Sequence, residues 1–459
     1  MENFWDSNVW GFFNLIAVLL LSLLAATVLR KTVKGLNESL IPTSVLGGGV
    51  LLVISAIYKL FTGGNMFDTD FFGGSGMSML ELITYHALSL GFIASTFKTS
   101  DKKLTKERTV EIFNTGVTTV STYLLQAGVG MAITISAALI GTKVFPASGL
   151  LLALGYGQGT GQAMNYGNIY EVDFGFAGGK SFGLTIAAMG FLCASIGGVI
   201  HMTIMKRRGL LRNSAHEEGQ MMEEEIQSGN EIPMQDSIDK MTIQIALVTV
   251  AYLVAYVMML ALGNLLPGMK SVIYGFNFLL GVLSATVLKV AIRFFRNKGI
   301  MKKEYTNNFL MTRVSNFFFD IMVVAGIAAI RLGALLDYWF ILLLLGLVGA
   351  AITFIYIRFV TGKLFKAYRE EQFLAMYGML TGTASTGVIL LREIDGRFKT
   401  PAADNLVYQN FPAMVFGFPI LLLATMAPTQ PGMTLIIVAA FLVVINILLF
   451  RSCIFKKKK

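Results

Sequence analysis

Two glycine-rich stretches hold the residues whose types and spacing could do chemistry. The first, within 150–198, reads GYGQGTGQAMNYGNIYEVD, and the second, within 371–419, reads YGMLTGTASTGVILLREID. Gly159-Thr160 is followed by Glu171-Val172-Asp173, and Gly382-Thr383 by Glu393-Ile394-Asp395 at nearly the same separation, so the two read as copies of one unit. Neither is a simple helix: glycine and hydroxyl residues break it, and in lipid a broken backbone is tolerated only against protein or a water-filled cavity. Helix halves that start at such breaks expose free N–H groups suited to a carboxylate, and halves that end there expose carbonyls suited to a dehydrated cation. Tyr156, Gln158, Thr160, Gln162, Asn165 and Asn168 in the first, with Thr381, Thr383, Ser385 and Thr386 in the second, add neutral donors and acceptors. Oxygens of this kind suffice for Na⁺. The competing reading is that these small polar residues only let helices pack closely.

The elements that must position them are membrane helices. The chain has 459 residues, 55% hydrophobic and 14% charged, with a mean hydropathy of +0.67, which no soluble domain could hide from water. A net charge of +10 would otherwise raise nucleic acid as a partner. Its Lys and Arg sit in short loops between apolar runs and in the tail Lys456–Lys459, the distribution of cytoplasmic loops. Cys193 and Cys453 lie near apolar runs far apart, which argues against a disulfide framework. The start MENFWDSNVW has no basic segment, so the first apolar run reads as a retained span.

Spans of roughly 20 residues are expected near 11–29, 40–61, 77–97, 110–141, 181–205, 241–265, 271–295, 313–333, 338–361, 409–427 and 433–452. The fourth is too long for one straight crossing. Arg30, Lys31 and Lys34 follow the first span and Lys98, Lys102, Lys103, Lys106 and Arg108 the third, whereas Asp68 and Asp70 follow the second, which places the N-terminus outside and the basic tail inside. On that assignment two sets of five spans plus a hairpin start from opposite sides of the membrane. The expected fold is therefore an all-α polytopic membrane protein: an inverted repeat of two five-helix halves, each with a re-entrant hairpin, plus an extra C-terminal span. The halves are 1–208, with its hairpin near 150–168, and 241–428, with its hairpin near 372–392. An acidic linker at 209–240 is read as solvated and cytoplasmic, and 429–459 holds the extra span and tail.

Other charged residues leave two readings open. Asp320 and Glu81 fall inside predicted spans, where a carboxylate marks a functional site by default, yet Glu81 could snorkel and Asp320 could pair with Arg313. His86 and His201 read as packed or interfacial. Arg392, Arg397 and Lys399 could attract an anion or simply follow the charge bias of cytoplasmic loops. Gly175–Ser181 (GFAGGKS) is one residue short of a phosphate loop, and neither a Ser/His/Asp set nor H-E-x-x-H spacing is present, so the expectation is a non-enzymatic, ion-driven transporter with no cofactor.

The second-span IPTSVLGGG, the third-span LGFIAST, the first hairpin GYGQGTGQA with FAGGKSFGLTIAAMGFLCASIGG, and the second hairpin with NFPAMVFGFPILLL together resemble the bacterial sodium/glutamate symporter family, in order and over most of the chain. The resemblance implies a fold similar to the 2-hydroxycarboxylate transporters, a homodimer in the bacterial inner membrane, and Na⁺-coupled uptake of a glutamate-like anion. It implies that Gly157, Gln158, Gly159, Thr160, Gly161 and Gln162 line the site with Thr381, Gly382, Thr383, Ser385, Thr386 and Gly387. Asn165 and Asp320 are the expected ion-coupling residues, and the Na⁺ site is expected at the hairpins. Gln158 stands where the family pattern has His. Coupling to H⁺, a 2-hydroxycarboxylate or other organic-anion substrate, and a channel are the alternatives.

Overall fold

The computed structural model describes residues 3–98, 105–208, 238–301, 303–395 and 399–454. Every regular element among them is helical: α1 (Ser7–Thr32), α2 (Thr43–Thr62), α3 (Gly76–Phe97), α4 (Lys106–Leu139), α5 (Leu151–Phe174), α6 (Gly179–Arg207), α7 (Lys240–Leu265), α8 (Asn277–Asn297), α9 (Asn308–Ala328), α10 (Trp339–Leu364), α11 (Arg369–Thr381), α12 (Ala384–Arg392), α13 (Ala402–Tyr408), α14 (Asn410–Met426) and α15 (Pro431–Leu449), with short helical turns between them. Ten of these are long and apolar enough to cross a membrane. Their outward faces carry large apolar side chains, among them Leu21 and Leu24 on α1, Val53 and Ile57 on α2, and Leu253 and Val257 on α7. A helix meets every backbone hydrogen bond internally and leaves such side chains free to face lipid. The chain is a multi-pass membrane protein.

Most expected spans end within a few residues of these helices, and the differences have local causes. The long fourth run is one continuous helix, Lys106–Leu139, started by Thr105, whose side chain accepts from Arg108 N. The seventh span is interrupted at Phe276, between Lys270–Gly275 and α8. The eighth ends at Ala328, short of residue 333. The tenth corresponds to α14, which is too short alone and is preceded by α13 at a bend of 51°, so an eleventh crossing exists only if this pair is counted as one span. Pro42 caps α2, and the helix runs unbroken through Gly47, where a Cβ would lie 3.2 Å from Ser22 O of α1. Gly47 therefore serves close packing, whereas a Cβ at Gly49 would meet open space. The expected acidic linker falls almost wholly at 209–237, outside the described residues.

By contacts the chain divides into two compact units, Met1–Met77 with Leu104–Glu217 and Gly326–Lys459, and Ser78–Lys103 with Glu218–Ala325. The second unit packs α3, α7, α8 and most of α9 around Ile93, Phe97, Val248, Ala285 and Met311. Side-chain to backbone bonds tie it together, such as Asn277 Nδ2 to Tyr85 O (3.0 Å) and Ser315 Oγ to Gly91 O (2.9 Å).

The first unit holds both glycine-rich stretches, and each folds back on itself. In the first, Gly149 lies on Gly130 of α4 and Gly157 on Tyr123, so the chain runs antiparallel to α4 as far as Gly157. Gly159 breaks the helix with φ 79° and ψ −169°, a region essentially restricted to glycine. The second arm then runs antiparallel to α6, with Ala163 O against Gly183 and Gly167 against Gly179, until the Tyr170 ring returns to Phe145 with centroids 5.6 Å apart. This hairpin therefore spans Pro146–Phe174, longer than the 150–168 expected. In the second, α11 ends at Thr381 and α12 starts at Ala384, while Gly378 and Gly387 touch backbone to backbone. Residues nine apart in a straight helix would be about 13 Å apart. The chain must turn back at Gly382-Thr383.

Candidate functional site

The two turns meet on one residue of α6. A Cβ at Gly190 would collide with Thr381 O from the second hairpin and the Tyr156 ring from the first, so only glycine lets both approach α6 there. Each turn is then held by a hydrogen bond from α4. Tyr123 donates its hydroxyl to Gly157 O (2.9 Å), and Gln126, one turn on, donates Nε2 to Leu380 O (2.8 Å). Tyr156 donates to Gly346 O of α10 (2.6 Å), Gln126 Nε2 also donates to Thr353 Oγ1 (2.8 Å), and Tyr377 donates to Cys193 O (3.0 Å). Both turns thus sit in a frame of α4, α6 and α10.

At the second turn, backbone groups stand free of helix partners. The second arm of the first hairpin starts at Thr160, directly after the break, and α12 starts at Ala384 with no side-chain cap from Thr383. The first intrahelical bond of α12 comes from Gly387 N to Thr383 O (3.0 Å), so the N–H groups of its first turn have no helical acceptor. They carry the positive end of the helix dipole, while α11 brings its carbonyl end to the same turn.

Two buried amides complete the set. Among the described residues, Gln162, 1% exposed, has no hydrogen-bond partner for either side-chain atom, and Gln126, 0% exposed, has none for Oε1. The orientation of Gln126 is fixed, because Leu380 O can only accept and the Thr353 hydroxyl already donates to Gly349 O (2.7 Å). Its oxygen is therefore the free end. Buried polar atoms without partners are rare in folded proteins, and a water, an ion or a bound solute is what usually satisfies them.

Most of the residues expected from sequence gather here. Gly157 and Gln158 are half-buried at the first turn, and Gly159, Thr160, Gly161, Gln162 and Asn165 are buried along its second arm. Thr381, Gly382 and Thr386 are buried and Thr383 and Ser385 half-buried at the second turn, with Thr383 Oγ1 3.4 Å from Thr386 Oγ1. Gly387 sits between the hairpin's own arms, and its missing side chain is what allows their contact. Asn168 is exposed. Asp320 is exposed on α9, in the second unit. Arg392 and Lys399 are exposed, and Arg397 lies outside the described residues.

Sequence reasoning missed Tyr123 and Gln126, which sit inside an unbroken helix and belong to no motif. The available signal was the 4-3-4 spacing of Thr115, Thr119, Thr122 and Gln126, a polar stripe along one face of a helix long enough to cross the membrane. It also missed an ion cluster at the base of the second hairpin. There Glu370 Oε2 lies 2.9 Å from His201 Nε2 of α6 and 2.5 Å from Arg358 Nη1 of α10. The chain matches no known protein-family model, and no curated protein is similar to it.

Proposed function

We propose that this protein is a secondary active transporter carrying out Na⁺-coupled symport of glutamate or a related carboxylate. The observation that carries the reading is the meeting of two helical hairpins, each turning at the glycine of a repeated Gly-Thr pair, on Gly190 beside unpaired buried amides. Discontinuous helices that meet inside a bundle are the usual substrate and ion sites of such transporters. In this reading the hairpins are re-entrant, and the two halves form an inverted repeat with the N-terminus outside and the C-terminus in the cytoplasm of a bacterial inner membrane.

The roles follow from the chemistry of the groups. The N–H groups of the first turn of α12, at Ala384–Thr386, hold a substrate carboxylate beside the break at Gly159. Gln162, which can both donate and accept, and the oxygen of Gln126 read its remaining polar groups. Na⁺ is held by carbonyl and hydroxyl oxygens at the turns, so that substrate and ion neutralise each other before the site changes sides. A 2-hydroxycarboxylate is the second reading. It is favoured by Gln158 at the position of the family's His, and by a site whose side-chain contacts are all neutral.

The test is uptake of labelled glutamate by proteoliposomes under an inward Na⁺ gradient, against K⁺ on both sides. Concentrative uptake that requires Na⁺ is expected. Uptake indifferent to Na⁺ would refute the coupling, and citrate or malate uptake without glutamate uptake would select the second reading.

A further inference from the structure

A second group of buried amides joins the first arm of the second hairpin to α4 and α13, and its hydrogen bonds have a fixed direction. Thr115 donates its hydroxyl proton to Glu111 O (2.8 Å), so Thr115 Oγ1 accepts from Gln372 Nε2 (3.3 Å). Gln372 Oε1 is then the acceptor for Asn405 Nδ2 (3.0 Å), which also reaches the Tyr368 hydroxyl (3.1 Å). A backbone carbonyl, which can only accept, thus sets the orientation of every group in the chain, and Asn405 Oδ1 is left with no donor in a residue that is 0% exposed. Gln409 repeats the pattern one turn on. Its Nε2 lies 3.3 Å from Met379 Sδ and 3.0 Å from Asn410 Oδ1, and its buried Oε1 has no donor either.

These two oxygens share one helix face, since Gln409 N donates to Asn405 O (3.0 Å). Both are acceptors, both are neutral, and both belong to amides whose nitrogens reach the first arm, at Gln372 and Met379. An anion would be repelled by such a set. A divalent ion is matched by carboxylates. Neutral oxygens stripped of donors match a dehydrated monovalent cation. The facing stripe on α4 has the same character: Thr119 and Thr122 donate to Thr115 O (3.1 Å) and Thr118 O (2.8 Å), which leaves only their lone pairs outward.

We infer that Asn405 Oδ1 and Gln409 Oε1 are ligands of a monovalent-cation site between α4, α11 and α13. The choice of Na⁺ as the ion rests on the symport reading; the existence of a cation site does not.

The experiment is saturation binding of ²²Na⁺ to the purified full-length protein in detergent, with melting curves in NaCl and in choline chloride at equal ionic strength. Wild type should bind Na⁺ saturably and melt higher in NaCl. Asn405→Leu and Gln409→Leu should each weaken binding at least tenfold and remove the NaCl shift. Asn405→Asp and Gln409→Glu keep an oxygen but lose the amide protons, and should retain binding or tighten it several-fold. If the amides serve only as donors to their neighbours, these acidic variants should instead fail as the leucine variants do, and that result would overturn the site. So would the absence of Na⁺ binding in wild type, or wild-type binding by folded leucine variants. Should the leucine variants not fold, the acidic pair decides. Na⁺-driven uptake that survives the double leucine change would overturn the cation site alone, and intact ²²Na⁺ binding without uptake would overturn the symport reading alone.

Discussion

The two hairpins answer to the same repeated Gly-Thr signature and are held in place by different chemistry. The first is wedged by aromatic rings and neutral bonds. Tyr166 and Tyr170 on its second arm are fully buried and donate to Leu421 O (2.9 Å) and Ala424 O (2.7 Å) of α14, and Phe145, Tyr170 and Phe176 pack together. The second also has buried rings, Phe373 and Tyr377 against Phe354 of α10, but adds the Glu370 ion cluster and the Gln372–Asn405 amides at its base, and its second arm is only nine residues long, with Ala384 exposed. Rings alone give an anchor indifferent to protons and ions. Charges and amides give one that can respond to them, and only the second hairpin has been given both.

The largest effect should come from the turns themselves. Gly159→Ala forces a side chain into a φ 79°, ψ −169° conformation, at about 1–3 kcal/mol, and should abolish uptake. Gly382 has φ −134°, so Gly382→Ala meets crowding, from Thr386 Oγ1 at 2.9 Å and from Gly378 O and Phe191 at 3.1 Å, without a left-handed backbone, and should keep measurable uptake. Equal losses in the two proteoliposome assays would erase the distinction between the turns.

Gly190→Ala acts on both hairpins at once, because its Cβ would push on Thr381 O and Tyr156 together. Overpacking of this kind costs about 1–3 kcal/mol. Uptake should fall at least tenfold and melting should drop. Gly197→Ala, which meets only Tyr377, should fall less.

Glu370→Gln tests the ionic base. Loss of the pair with Arg358 and His201 should lower stability by about 1–2 kcal/mol, between the surface and buried ranges for ion pairs. Burial alone would raise the Glu370 carboxyl, but hydrogen bonds and charge from His201 and Arg358 outweigh it and lower its pKa from 4.5 to about 2. A lowered carboxylate pKa contributes its full stability above 4.5 and loses it as pH falls toward about 2. The melting difference between wild type and variant should therefore be constant near neutrality and shrink below pH 4.5. A difference that persists at low pH would mean the cluster is not ionic.

The smallest effect belongs to the aromatic latches. Tyr166→Phe and Tyr170→Phe each remove one neutral hydrogen bond and keep the ring, so each should lower stability by about 0.5–1.5 kcal/mol with no change in its pH profile.

How much of this could be read from the chain depends on whether the cause is local. Span positions were legible because apolar length is a local property, and both turns were legible because Gly159 and Gly382 sit in repeated Gly-Thr pairs. The extra C-terminal helix was visible, but not its role. It lies against α4 and α10, where Asn446 bonds Ser121 (3.0 Å) and Tyr356 (2.8 Å), contacts between residues far apart in sequence. His201 read as packed or interfacial for the same reason, since its partner Glu370 is 169 residues away. Gln126 carries no motif, and only the fold shows that its oxygen is left free.

The central claim is that the meeting hairpin turns hold the transported solutes, and cysteine protection at Thr383 tests it most directly. In a background with Cys193 and Cys453 replaced by serine, Thr383→Cys would be reacted with a small thiol reagent in proteoliposomes, with and without Na⁺ and glutamate. Modification in choline chloride should be slowed at least tenfold by Na⁺ with glutamate, while an exposed control, Asn168→Cys, is unaffected. Modification of Thr383→Cys at one rate in every condition, in protein that still takes up glutamate, would place the transport site elsewhere.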